Sequence, residues 1–324
     1  MKVAINGFGR IGRAILKRAL EKGVNIVAIN DLTDTKTLAY LLKYDSVYGV
    51  YNKKIESGKN FIKINNKKIE VFAKKNPEDL PWKKLGIDVV IESTGLFKKK
   101  EDSSKHLTAG AKKVLISAPA PESDVTIVLG VNEKDLKKNH KIISMASCTT
   151  NCIAPIIKIL EDKFGIQKGY MTTIHAYTGD QKLLDAPHKN LRRARSAAIN
   201  LVPTSSGAAT AVAQVIPSLK GKLDGMAVRA PVPCGSITDF VVTLKKSATA
   251  EEINKAIKEK SKKIPEVLEY TEDEIVSTDI IGNTHSSIFD SKLTKANGNM
   301  VKVLSWYDNE YGYSCRMVDT LKLL

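Results

Sequence analysis

Apolar residues in the first half of the chain fall into short runs separated by polar, glycine-bearing turns. Val3 to Asn6 is the first run, followed by Gly7-Phe8-Gly9-Arg10-Ile11-Gly12. Beyond it Ile11, Ala14, Ile15, Ala19 and Leu20 recur near a helical period, and Gly23 is placed to end that helix. Asn25 to Asn30 is a second apolar run, closed by Asp31. Strand, turn, helix and strand at this spacing make a βαβ unit. Further runs follow at Phe61 to Ile64, Ile69 to Phe72, Asp88 to Glu92, Lys113 to Ser117 and Val125 to Leu129. With helix-like pieces between some of them, they predict parallel strands and crossover helices up to residue 147.

From Ser147 the texture changes. Cys148 to Phe164 reads as one helix, with Ile153, Ile156, Ile157, Leu160 and Phe164 on one face and Gly165 at its end. Strands are predicted at Tyr170 to His175, Met226 to Pro231, Ile237 to Leu244 and Val301 to Tyr307. Thr249 to Lys262 reads as a helix opened by Thr-Ala-Glu-Glu, and Tyr311 to Leu324 as a short terminal helix. No internal repeat or low-complexity linker divides the chain.

Length and composition narrow the class. At about 150 residues per domain, 324 residues make two domains with a substantial core. Hydrophobic residues at 43% and charged residues at 27% exclude a disordered or collagen-like chain. Four cysteines are too few for a secreted disulfide framework. The N-terminus runs straight into the glycine turn, so no signal peptide is expected. The longest uncharged stretch, Ser196 to Leu219, carries prolines and polar residues and makes a poor membrane span. The expected setting is soluble, reducing and cytoplasmic.

The charge is unusual: 51 Lys+Arg against 35 Asp+Glu, a formal net charge of +16. A basic face suits nucleic acid. The lysines are spread singly or in pairs, however, with Lys98-Lys99-Lys100 the longest run, and read as a solvated surface. Only eight basic residues are Arg: 10, 13, 18, 192, 193, 195, 229 and 316. Where Lys is plentiful, Arg marks a place for a planar fork. Leu191-Arg192-Arg193-Ala194-Arg195 therefore reads either as an ion-paired surface or subunit interface, or as a phosphate or carboxylate site.

Gly7, Gly9 and Gly12 follow a strand and open a helix, and Asp31 ends the next strand. This is the dinucleotide fingerprint in its context, with glycines admitting a pyrophosphate to the helix N-terminus and Asp31 accepting from ribose hydroxyls. Asp31 also repels a 2′-phosphate, which favours NAD over NADP. Cys148 opens a helix in the polar Ser147-Cys148-Thr149-Thr150-Asn151-Cys152, where a helix N-terminus favours thiolate. Cys152 reads as a core residue, and Cys-x-x-x-Cys with isolated Cys234 and Cys315 is no zinc spacing, so no metal is expected. His175 closes a predicted strand and is the candidate base for Cys148. His106, His140, His188 and His285 lie in polar contexts and read as surface or loop residues.

Over essentially its whole length the chain resembles the phosphorylating glyceraldehyde-3-phosphate dehydrogenases of the common bacterial and eukaryotic type. The resemblance rests on Ile5 to Arg13, Ala146 to Cys152, Thr173-Ile174-His175-Ala176-Tyr177-Thr178, Leu191 to Arg195, Pro203 to Ala208 and Ser305 to Glu310. It implies an α/β protein with a Rossmann dinucleotide-binding domain, residues 1–147 with the terminal helix 310–324 returning to it. An α+β catalytic domain with a mixed or antiparallel sheet would span 148–309. It implies a homotetramer that oxidises and phosphorylates glyceraldehyde 3-phosphate to 1,3-bisphosphoglycerate with NAD, in glycolysis or gluconeogenesis. Cys148 would form the thiohemiacetal and thioester, and His175 would move the protons. Thr178 and Arg229 resemble the site for the substrate's own phosphate. Ser147, Thr149, Arg193, Ser206 and Gly207 resemble the site for inorganic phosphate, with Cys148 between. Gly7, Gly9, Arg10, Ile11, Gly12, Asp31, Lys75, Ser117 and Asn309 resemble the cofactor contacts.

The chain also departs from the family pattern. Ser206 stands where Thr is usual, Thr210 where many members have Lys, and Cys234 where Asn is common. Ala186-Pro187 combines one residue from the NAD pattern with one from the NADP pattern, which leaves room for some use of NADP. The alternatives are an erythrose-4-phosphate dehydrogenase, which hydrolyses its thioester, and a non-catalytic nucleic-acid-binding module of the same fold. The intact Thr204 to Ala209 segment speaks against the first, and intact Cys148, His175 and Asp31 against the second.

Overall fold

The computed structural model describes residues 1–324. The chain forms two compact units: residues 1–127, 134–146 and 314–324 in the first, 128–133 and 147–313 in the second. Residues 128–133, 147 and 310–313, expected in the first domain, thus group with the second unit.

The first unit holds β1 (Lys2–Asn6), α1 (Arg10–Glu21), β2 (Asn25–Asn30), α2 (Thr35–Lys43), the small hairpin β3 (Tyr44–Asp45) and β4 (Gly49–Val50), then β5 (Ile55–Gly58), β6 (Phe61–Ile64) and β7 (Lys67–Phe72). It continues with α3 (Trp82–Leu85), β8 (Val89–Glu92), α4 (Lys100–Thr108), β9 (Lys113–Ile116), β10 (Val125–Thr126) and β11 (Ile142–Ser144). Its nine-stranded sheet has the order β10-β11-β9-β8-β1-β2-β7-β6-β5. The strands from β10 to β7 are parallel, while β6 and β5 pair antiparallel at one edge. Central strands of a parallel sheet are covered on both faces, which is why β1 and β8 are buried along nearly their whole length. The strand order reverses at β1, with β2 added on one side and β8 on the other, the usual place for a ligand crevice.

The second unit begins with α5 (Cys148–Phe164), whose bounds coincide with the predicted helix, and β12 (Ile166–Ala176). Then come β13 (Val202–Ser205), α6 (Ala208–Val215), β14 (Leu223–Ala230), β15 (Ser236–Leu244), α7 (Ala250–Ser261), β16 (Leu268–Thr271), β17 (Ser287–Asn297) and β18 (Met300–Tyr307). A last helix, α8 (Tyr311–Thr320), follows, and its residues from Ser314 onward belong to the first unit. The seven-stranded sheet, β13-β14-β12-β15-β18-β17-β16, is mixed: two pairs are parallel and four antiparallel. The fold is therefore the expected Rossmann domain with a mixed-sheet α+β domain. α5 and α7 pack together on one face of this sheet. Thr249 caps α7 with the full reciprocal box to Glu252, as its sequence predicted. No helix is long and apolar enough to cross a membrane.

Two glycines are fixed by sterics at the head of α1. Gly7 has φ +90, and a Cβ there would lie 2.6 Å from Thr94 N. A Cβ on Gly12 would lie 2.2 Å from the Gly7 carbonyl oxygen, whereas one on Gly9 meets nothing within 4 Å. Gly12→Ala is expected to lose roughly 1–3 kcal/mol of stability, and Gly9→Ala to stay within about 0.5 kcal/mol of the parent. Denaturant midpoints read both, and equal midpoints for the two variants would contradict this packing.

Candidate active site

In the first unit, β1 delivers the chain into Gly7-Phe8-Gly9, and α1 starts at Arg10 with no side chain capping it. The positive end of the helix dipole lies at this turn, where it favours an anion. A cavity of about 530 Å³ opens beside this turn, with Gly7, Gly9, Asp31, Lys75 and Thr94 among its lining residues. The Asp31 carboxylate accepts from Phe8 N at 2.7 Å and Thr33 N at 3.0 Å, which fixes it at the end of β2. Open space at Gly9, an uncapped helix start and an oriented carboxylate suit a dinucleotide.

Other predicted cofactor contacts stand differently. Gly12 supports the turn from below rather than lining the cavity. Arg10 pairs with Asp45 at 3.2 Å and stacks over Tyr48, and neither it nor Ile11 is among the lining residues. Ser117 donates its backbone N–H to Glu92 O, outside that lining. Asn309 belongs to the second unit, where its side-chain oxygen accepts from Ser236 Oγ.

In the second unit, Ser147 is the N-cap of α5, its hydroxyl accepting from Thr150 N at 3.1 Å. Cys148 is therefore the first helical residue, and its sulfur lies 3.4 Å from His175 Nε2. Cys148 is partly exposed, whereas Cys152, Cys234 and Cys315 are buried. His175 sits at the end of β12, with its ring edge-on to Tyr307 at 5.9 Å between centroids. The Tyr307 hydroxyl bridges Thr149 Oγ1 and Thr173 Oγ1, each at 2.8 Å, and so ties α5, β12 and β18 together behind the pair.

Parallel register sets His175 on β12 directly beside Arg229 on β14. Arg229 Nη1 lies 2.5 Å from His175 Nδ1 and donates to Ala176 O at 3.1 Å. Nδ1 is also 2.7 Å from that carbonyl. The two contacts require opposite proton placements. A protonated Nδ1 donates to Ala176 and leaves Nε2 free to accept the thiol proton. A bare Nδ1 accepts from Arg229 and places the ring proton on Nε2, facing sulfur.

Electrostatics act in both directions here. Burial pushes the Cys148 thiol up, while the Arg229 guanidinium and the donors at the head of α5 pull it down. Burial, and after it Arg229, push His175 down to about 3. Burial disfavours charge on either member, so the neighbouring guanidinium and helix head are what favour a thiolate.

The remaining predicted anion residues lie in the same unit. Arg193 donates to Thr204 Oγ1 at 2.9 Å and pairs with Asp180 at 2.7 Å. Ser206 Oγ accepts from Ala208 N, and Gly207 heads α6 with no side-chain cap. Thr178 N donates to Gln181 Oε1. Tyr307, Asp180 and Gln181 were not singled out from the sequence. Gln181 Nε2 and Arg229 Nε are buried without a partner, two donors available to an incoming anion. Tyr307 lies within the Ser305 to Glu310 motif, but nothing in its spacing marks the contact with His175.

A dinucleotide cavity in one unit and a cysteine–histidine pair beside an arginine in the other define the class, a cysteine-dependent dehydrogenase. Residues 1–100 match the family model for the NAD binding domain of glyceraldehyde 3-phosphate dehydrogenase, and residues 147–309 that for its C-terminal domain. The glyceraldehyde-3-phosphate dehydrogenase of Thermotoga maritima is 57% identical over 328 residues, covering 100% of this chain and 98% of that one. That of Borreliella burgdorferi is 56% identical over 334 residues, covering 100% and 99%. That of Clostridium pasteurianum is 56% identical over 328 residues, covering 99% and 97%. The chain belongs to the glyceraldehyde-3-phosphate dehydrogenase family, and its cofactor is NAD.

Alkylation of the native protein with iodoacetamide is expected to place one label per chain, on Cys148, with activity lost in proportion. Peptide mapping checks this, and label accumulating on Cys152, Cys234 or Cys315 as activity falls would contradict it.

Proposed function

We propose that the protein oxidises and phosphorylates D-glyceraldehyde 3-phosphate to 1,3-bisphosphoglycerate, with Cys148 as nucleophile and His175 as base. The contact of 3.4 Å between Cys148 Sγ and His175 Nε2, beside the Arg229 guanidinium, carries this reading. Sulfur adds to the aldehyde carbon, and its proton passes to Nε2. The first N–H groups of α5 stabilise the oxygen that gains charge, and Nε2 returns the proton to that oxygen, giving the thiohemiacetal hydroxyl and a neutral imidazole. NAD, when bound, supplies the two-electron acceptor. His175 takes the hydroxyl proton of the thiohemiacetal as that carbon becomes a thioester. Inorganic phosphate then attacks the thioester carbon, the C–S bond breaks, and Cys148 leaves as thiolate.

The anion sites follow the same reading. Arg229 and Thr178 hold the phosphate of the triose, and Arg193, Ser206, Gly207, Ser147 and Thr149 hold inorganic phosphate. Guanidinium forks suit both, which accounts for arginine persisting in a lysine-rich chain. Gly7, Gly9, Asp31 and Lys75 hold the adenosine diphosphate half of NAD, with Gly12 supporting the turn. Arg10, Ile11, Ser117 and Asn309 contact the cofactor in the working assembly.

That assembly is a homotetramer. Tyr170, Ile174, Met226 and Val241 stand exposed on one face of β12, β14 and β15, and Leu183, Leu184 and Leu191 are exposed in the loop after β12. Apolar surface of this extent suits burial against further copies of the chain. Four free cysteines suit a reducing cytoplasm.

Steady-state reduction of NAD by the triose phosphate, with and without inorganic phosphate, tests the reaction. Turnover is expected to fall at least roughly a hundredfold without phosphate, the scale on which a lost positioned nucleophile shows. Turnover that ignores phosphate would mean hydrolysis of the thioester and would overturn phosphorolysis.

A further inference from the structure

Beneath the dinucleotide cavity runs a chain of buried polar side chains that the chemistry above leaves unused. Trp82 in α3, Glu92 at the end of β8 and His106 in α4 are all enclosed, at 1% exposure or less. His106 was expected at the surface from its lysine and serine neighbours, and it lies in the interior instead. Its partners come from elements far apart in sequence. Trp82 Nε1 donates to His106 Nδ1 at 3.0 Å. An indole nitrogen only donates, so Nδ1 is bare and the ring proton sits on Nε2. From there it is donated to Glu92 Oε2 at 3.0 Å.

Glu92 gathers three more donors. Asn6 Nδ2 reaches the same oxygen at 2.6 Å. The other oxygen accepts from Thr94 N at 2.8 Å and from the Thr94 hydroxyl. Asn6 Oδ1 in turn accepts from Asn30 Nδ2 at 2.7 Å, and Asn30 exchanges hydrogen bonds with the backbone of Lys74, at 2.9 Å each way. Asn6, Asn30, Lys74 and Thr94 line the cavity, and Trp82, Glu92 and His106 do not. A buried carboxylate and imidazole contribute less to stability than apolar residues of the same volume. Such a network repays its desolvation by fixing a geometry, and the geometry it fixes here is the cavity wall.

We propose that Glu92 and His106 are positioning residues for the dinucleotide. His106, held in one tautomer by Trp82, orients Glu92, and Glu92 sets the side chains of Asn6 and Thr94 that meet the cofactor. The proposal rests on the reading that this cavity takes NAD. It predicts that damage to the network weakens cofactor binding while leaving the triose phosphate site untouched.

Calorimetric titration of the native protein with NAD alone is the test, beside thermal midpoints and KM for triose phosphate. His106→Leu removes the donor to Glu92, and His106→Gln keeps an amide N–H where Nε2 stood. The Leu variant is expected to bind NAD roughly five- to tenfold more weakly, as for one lost hydrogen bond to a charged group. The Gln variant is expected to stay within about twofold of the parent, and KM for triose phosphate to hold in both. Should the Leu variant not fold, Trp82→Phe releases the tautomer and is expected to weaken NAD roughly threefold. Variants that are only less stable, with the parent's affinity for NAD, would overturn the proposal, as would a Gln variant as weak as the Leu one. A parent protein that binds no NAD would overturn the cavity assignment itself, which separates the two failures.

Discussion

Cys148 Sγ and His175 Nε2 lie 3.4 Å apart, and much of the second unit is arranged to keep them there. Sulfur is set by the Ser147 cap, which makes Cys148 the first residue of α5. The imidazole is set from three sides: the Ala176 carbonyl, the edge contact with Tyr307, and Arg229 on the neighbouring strand. The parallel register of β12 and β14 is the deeper constraint. A slip of one residue would turn Arg229 to the other face of the sheet and take the guanidinium away from the pair.

The electrostatic consequences follow from that placement. Burial works against charge on sulfur and on imidazole alike. A lone buried pair would gain little by proton transfer. With Arg229 alongside, negative charge on sulfur is compensated while positive charge on His175 is discouraged. Arg229 is thus a group whose position biases the protons of the site, in addition to the part in binding phosphate proposed for it. The buried network under the dinucleotide cavity shows the same economy in the first unit, where side chains outside the lining hold those that line the wall.

Much of this was legible in the sequence because its signals are local. The glycine turn, Asp31, the capping box at Thr249 and the helix Cys148–Phe164 each declare themselves within a few residues. What escaped depends on partners distant in the chain. His106 has polar neighbours in α4 and reads as exposed, and only Trp82 and Glu92 explain its burial. Tyr307 acquires its place from Thr149 and Thr173, each more than a hundred residues away. The strand β17 carries a register shift between Asp290 and Lys295, so its polar and apolar positions do not alternate cleanly. α6 was hidden inside the long uncharged stretch from Ser196 to Leu219. Arg10, in turn, was read as a cofactor contact by motif alone, and in the single chain its guanidinium is engaged by Asp45 and Tyr48.

A single-turnover experiment bears most directly on the role given to Cys148 and His175. Protein, NAD and D-glyceraldehyde 3-phosphate are mixed without inorganic phosphate and followed by absorbance, then quenched for mass spectrometry of intact chain and peptides. One equivalent of reduced cofactor per active site should appear in a burst, with a phosphoglyceryl group on Cys148 that disappears when phosphate is added. Continued turnover without phosphate, or a burst with no acyl group on Cys148, would contradict it.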